Sequence, residues 1–132
     1  MLFVDYGLPR REYYAPERSD GTLLCHFRHR FHADPFARLG LQDITAWVDF
    51  TTLAEAGLAC GFEVAGFTTQ AHFLADCGLD QEFAAEAEGL DERGRAALAQ
   101  AVTQLVLPGE MGEKFKLLVL SRGLTAATRS TT

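Results

Sequence analysis

The chain has 132 residues, 48% of them hydrophobic and 23% charged, with a formal net charge of −6. That length suits one domain, and that balance suits a folded globular chain, not a disordered one. The acidic excess argues against a general nucleic-acid or anionic-membrane surface, since both are held by clustered Lys and Arg.

The first predicted element is a strand over residues 2–7, Leu-Phe-Val-Asp-Tyr-Gly. It is apolar without alternation, which reads as burial on both faces. Ligands of open α/β sheets collect beyond the carboxyl ends of strands, so Asp5 and Tyr6 stand in a functional position. A loop of about 35 residues follows, a length usually kept for lids and binding loops. Pro9, Pro16, Pro35, Gly21 and Gly40 deny it a long helix, and a short strand through Leu23, Leu24 and Cys25 is the regular piece it offers. Thr52-x-x-Glu55 is a capping-box signature for a helix ending near Gly61.

A second long strand is predicted over residues 62–69, then a helix capped by Thr69 and ended by Gly78 as a left-handed residue. One helix, or two broken at Gly89, fills residues 81–107. Leu90, Ala97, Leu98, Ala101, Val102 and Leu105 share its apolar face, with Glu92, Arg93 and Arg95 in water. Pro108-Gly109 stops it, and residues 115–120 form the last strand. Residues 122–132 read as a disordered Ser/Thr-rich tail, leaving residues 1–121 as the folded unit. Periodicity alone thus gives an α/β fold with three strands. Cys25, Cys60 and Cys77 lack paired spacing, and no charged, apolar leader or run of ~20 apolar residues is present. The expectation is a reduced, soluble, cytoplasmic protein.

Three groups of residues carry possible chemistry. His26, His29 and His32 recur every three positions beside Cys25. Imidazoles bind Zn, Cu or Fe, but no CxxC or HExxH pattern supports a site, so these histidines are read as loop hydrogen-bonders and no metal is expected. Asp43 and Asp49 either cap the chain entering the helix at Thr52 or clamp a guanidinium through charge-assisted hydrogen bonds. Tyr6, Tyr13, Tyr14 and Trp47 either wall a cavity around a cation or pack as core, and Tyr6, at a strand end, is the choice for the crevice. Gln70 reaches a cleft or caps its helix, and His72 is read as structural. Arg10, Arg11, Arg18, Arg28, Arg30 and Arg38 make the first third basic, while acids gather between Asp76 and Glu92, a hint of an anionic ligand.

In order along the chain stand Val4-Asp5-Tyr6-Gly7, Tyr13-Tyr14, Arg18, Gly21-Thr22-Leu23 and His29-x-x-His32. Gln42-Asp43-Ile44-Thr45-Ala46-x-Val48-Asp49-Phe50, Gln70-x-x-Phe73-Leu74-x-x-x-Gly78 and Met111-Gly112-x-x-Phe115 follow. This series resembles the C-terminal part of the MidA family of S-adenosylmethionine (SAM)-dependent methyltransferases over roughly residues 2–120. Mitochondrial members of that family methylate an arginine on a respiratory complex I subunit.

The resemblance implies the C-terminal half of a Rossmann-like class I methyltransferase sheet, its last strand antiparallel and inserted between the two before it. Residues 8–50 would be a long substrate-side loop. Asp5 and Asp43 would be catalytic, and Tyr6, His29, His32 and Thr45 would contact substrate. The cofactor would be SAM in the complete protein. Its glycine-rich loop and ribose-binding acid belong to an upstream half, so no residue here is assigned to it and the chain alone is expected to be inactive. A protein substrate, and a homodimer or association with the N-terminal half, are the implied partners. A non-catalytic protein-interaction module is the main alternative, and a metal-dependent hydrolase a weaker one.

Overall fold

The computed structural model describes residues 1–123. The expected disordered tail lies largely outside the described residues. Four strands form the main sheet: β1 (Leu2–Leu8), β5 (Val48–Asp49), β6 (Glu63–Thr69) and β7 (Phe115–Ser121), in the order β5-β1-β7-β6. β7 runs antiparallel to both β1 and β6, as the resemblance implies, and β5 runs parallel to β1. The sheet is therefore mixed.

α2 (Phe50–Ala59) covers one face. Phe50, Leu118 and Leu120 are buried there, with Phe3, Val48, Leu53, Ala54 and Phe62 packed round them. Gly57 lets the helix approach, since a Cβ there would run into the Leu120 side chain. On the other face α3 (Gln70–Asp76) and α6 (Met111–Lys114) lie against β6 and β7, with α4 (Leu79–Glu88) and α5 (Glu92–Val106) outside them. The predicted break at Gly89 separates α4 from α5, and Gly78 takes the expected left-handed conformation, φ 84°. Leu90, Leu98, Val102 and Leu105 are half-buried, but Ala97 and Ala101 are exposed, so the apolar face is narrower than expected.

Two expectations are corrected. β1 is not buried on both faces: Leu2, Val4 and Tyr6 are 52%, 46% and 42% exposed. Residues opposite one another in an antiparallel pair share a face, so these three lie in line with Val119, Leu117 and Phe115. The helices on that face cover β6 and β7, leaving β1 bare. Residues 8–50 are not an irregular loop either. They hold α1 (Arg10–Tyr13), a 3₁₀ turn (Pro16–Arg18) and a separate antiparallel sheet of β2 (Leu24–Phe27), β3 (Arg30–His32) and β4 (Asp43–Thr45), in the order β3-β2-β4. Only the β2 strand had a sequence signal.

Candidate functional site

The carboxyl ends of the parallel strands β1 and β5 meet where Gly7 faces Val48. Gly7 is buried, and a Cβ there would strike the Val48 carbonyl and the Phe50 ring. Glycine is thus required for the two strands to close. Beyond them Pro9 opens α1, and Arg10 turns back onto the start of α2. Its backbone N–H donates to Thr51 Oγ1 at 2.9 Å. Its guanidinium donates to Glu55 Oε1 at 3.0 Å, Glu55 Oε2 at 2.5 Å and Thr52 Oγ1 at 3.0 Å, and its Nε lies 3.5 Å from Asp49 Oδ2.

Asp49 is the N-cap of α2. Its Oδ1 accepts from the N–H groups of Thr51 at 3.0 Å and Thr52 at 3.1 Å, and its Oδ2 from the Thr52 hydroxyl at 2.7 Å. Of its two sequence readings, capping is what the geometry displays. It also corrects the expected capping box: the helix starts earlier than Thr52, and Glu55 is taken by Arg10. A carboxylate that gathers two N–H groups and a hydroxyl outcompetes a threonine for the cap. Burial pushes the Asp49 carboxyl up, but the Thr52 hydroxyl and N–H and the nearby Arg10 outweigh it and hold it below its ordinary value. The Arg10 hydrogen bond likewise lowers Glu55, and Glu55 in turn raises Arg10.

The six expected site residues are distributed over two sheets and their opposite faces. Asp5 is exposed on the α2 side of β1, opposite Lys116, and its Oδ1 accepts from the Tyr6 N–H at 2.7 Å. Tyr6, the next residue, points to the other face, as strand alternation requires, and its ring lies 4.0 Å from that of Phe115. Asp43 and Thr45 are exposed on β4, opposite His26 and Leu24, and Thr45 Oγ1 donates to the Leu24 carbonyl at 3.2 Å. His32 pairs with Cys25 and so lies on the opposite face of the small sheet. His29 is exposed in the β2–β3 turn. The histidines therefore diverge, and among the described residues no group of three or more His, Cys, Asp and Glu is placed to hold a metal ion.

The remaining candidates have structural partners. The Trp47 ring has the Arg18 guanidinium 5.8 Å from its centroid, and the Trp47 backbone N–H donates to Thr22 Oγ1 at 3.0 Å. Tyr13 stacks edge-on against Tyr14 at 5.0 Å. Gln70 is buried and donates to the Leu105 carbonyl at 3.0 Å, tying α3 to α5. His72 Nδ1 sits 2.8 Å from Thr69 Oγ1 at the start of α3, a structural role as expected. Sequence reasoning missed Arg10. Its acidic partners are 39 and 45 residues away, and no local pattern signals such a contact.

The architecture is mixed α/β, and Asp5 lies in the middle of β1, paired across to Lys116, and not at the carboxyl end expected for it. Residues 1–68 match the family described as "Putative S-adenosyl-L-methionine-dependent methyltransferase", and the chain belongs to that family. Two solved structures from Burkholderia thailandensis are similar to it. One, an uncharacterised protein, is 44% identical with a TM-score of 0.88, over 97% of this chain and 34% of its own length. The other, of the same superfamily and bound to S-adenosyl-homocysteine, is 43% identical with a TM-score of 0.84, over 95% of this chain and 32% of its own. The chain thus spans about one third of the length of these relatives. Comparison with curated proteins gives no match. Among the described residues no helix is long and apolar enough to cross a membrane.

Proposed function

We propose that this chain is the C-terminal part of a SAM-dependent protein methyltransferase of the MidA type, completing a Rossmann-like sheet whose glycine-rich half holds the cofactor. Its acceptor is an arginine side chain on a protein partner, with a respiratory complex I subunit as the candidate. One observation carries the reading: the likeness, over 95% of this chain, to a structure bound to S-adenosyl-homocysteine, the product left when SAM gives up its methyl group.

The residues present fit one wall of such a site. The cavity beside Asp5, bounded by Phe3, Val4, Val48, Phe50 and Leu53, measures ≈ 270 Å³. Small-molecule sites run from about 300 to 1,000 Å³, so this cavity needs walls from elsewhere to enclose a cofactor. SAM supplies a methyl group on a sulfonium, and the protein mainly has to position the attacking nitrogen and help remove its proton. Asp5 and Asp43 are exposed carboxylates outside the ion pairs of the described residues. Each offers an oxygen pair to guanidinium N–H groups. In this reading Thr45 shares a face of the small sheet with Asp43, while Tyr6, His29 and His32 would meet substrate from other faces of the two sheets. The bare apolar positions Leu2, Val4 and Tyr6 suit contact with the glycine-rich half, or with a second copy.

The test uses the complete protein and this chain side by side. Calorimetric titration should give micromolar SAM binding to the former and none to the latter. In the complete protein, Asp43→Asn should lower methyl transfer about tenfold or more, equivalent to roughly 1.4 kcal/mol in the barrier, with little change in melting temperature. Tight SAM binding by a monomer of this chain, or loss of activity only in step with stability, would overturn it.

A further inference from the structure

We infer that the tip of the β2–β3 hairpin is a docking site for an acidic segment of a partner protein. Phe27 pairs with Arg30 across the hairpin, so the turn consists of Arg28 and His29 alone. Both have positive φ, 47° and 63°. Two-residue turns of that hand favour Asn-Gly, and longer side chains are held there only against steric cost. Strain of this kind gathers at functional positions. The half-buried Phe27 ring has the Arg38 guanidinium 4.4 Å from its centroid and that of Arg28 at 5.2 Å. One ring therefore fixes two cations at the tip, and Arg30 stands beside them on β3.

These cations are uncommitted. Both ion pairs between described residues belong to Arg10, so no described carboxylate neutralises Arg28, Arg30 or Arg38. A guanidinium held by a ring still presents its N–H fork edgewise, the geometry that takes carboxylates in pairs. Phe31 and Phe36 are 73% and 77% exposed nearby in the chain, and aromatic side chains with arginine are the combination enriched at protein interfaces. Charge selects the occupant. The cations are local to the tip while the chain carries −6 in all, so an extended polyanion such as nucleic acid meets repulsion beyond the hairpin. A short acidic protein segment meets the tip alone.

The inference is tested on the intact chain by fluorescence anisotropy, without cofactor, so its outcome is separate from that of the methyl-transfer reading. The probes are a labelled ten-residue Asp/Glu peptide with a central Phe, its counterpart with Lys replacing the acids, and a ten-nucleotide single-stranded DNA. The acidic peptide should bind, and bind more weakly as salt rises, while the lysine peptide should not. The double variant Arg28→Gln, Arg38→Gln should weaken binding about tenfold or more, as truncated interfacial charges do. Phe31→Ser, at an exposed position, should weaken it several-fold and decides the matter if the double variant does not fold. No binding at millimolar peptide, unchanged binding by the folded variants, or tighter binding of the oligonucleotide would overturn the assignment.

Discussion

Replacing Asp49 separates a structural cap from a substrate contact, and the structure sets the size of the effect. The carboxylate satisfies the N–H groups of Thr51 and Thr52 at 3.0 and 3.1 Å and the Thr52 hydroxyl at 2.7 Å. Asp49→Ala strips all three partners from the first turn of the helix that covers the core, where loss of an N-cap costs about 1–2 kcal/mol. For a chain of this size each kcal/mol moves the melting temperature by roughly 3–5 °C, so the variant should melt about 3–10 °C below the parent. Asn is as good an N-cap as Asp, and exposed ion pairs such as that with Arg10 contribute little. Asp49→Asn should therefore melt close to the parent. Thermal unfolding followed by circular dichroism on the three proteins gives the answer. An Ala variant as stable as the parent, or an Asn variant as weak as the Ala variant, would refute the capping argument.

Other outcomes follow from neighbouring contacts. The Glu55 and Asp49 carboxyls are held below their ordinary values in the folded chain, so their contribution is complete above about pH 5 and is lost as acid takes pH down through the folded values. Arg10→Gln should accordingly destabilise slightly at pH 7 and converge with the parent as pH falls through the folded values in a melting series; a gap that stays constant with pH would dismiss the ion pairs. Gly7→Ala should cost about 1–3 kcal/mol or more, because the new methyl meets a backbone carbonyl and a core ring, whereas Gly66→Ala meets open space and should be near neutral in denaturant titration. Elemental analysis of chelator-free protein should find no stoichiometric Zn, Fe or Cu; one equivalent lost on changing His29 and His32 would reverse that expectation.

How far the sequence could be read depended on the range of the forces involved. α3 and α5 were legible because their signals are local: a threonine cap, a left-handed glycine, an apolar stripe broken at Gly89. The identity of the α2 cap was half legible, as Asp49 was one of two residues able to fill it. β1 misled because an unbroken apolar run predicts two covered faces, while the helices settle over β6 and β7. The small sheet was nearly invisible. Its strands have three or four residues, and its tight turn is Arg-His where a hairpin signal would be Asn-Gly. For the candidate site, residue types were legible and their dispersal was not. His26 and His32 part company only because β2 and β3 pair in one register, which is set between strands and not within either.

The small sheet has a core of one residue. Among residues 8–49 only Cys25 is buried, at 0% exposure, and its thiol is free. So little enclosed surface leaves that sheet among the segments that open locally, well before the chain as a whole unfolds. Cys25 then works as a built-in clock. The rate at which an alkylating reagent reaches it counts openings of the β2–β4 sheet, with the exposed Cys60 and Cys77 marking the unhindered rate in the same sample. Any ligand that seats on the hairpin, wherever it comes from, slows that clock in proportion to its occupancy.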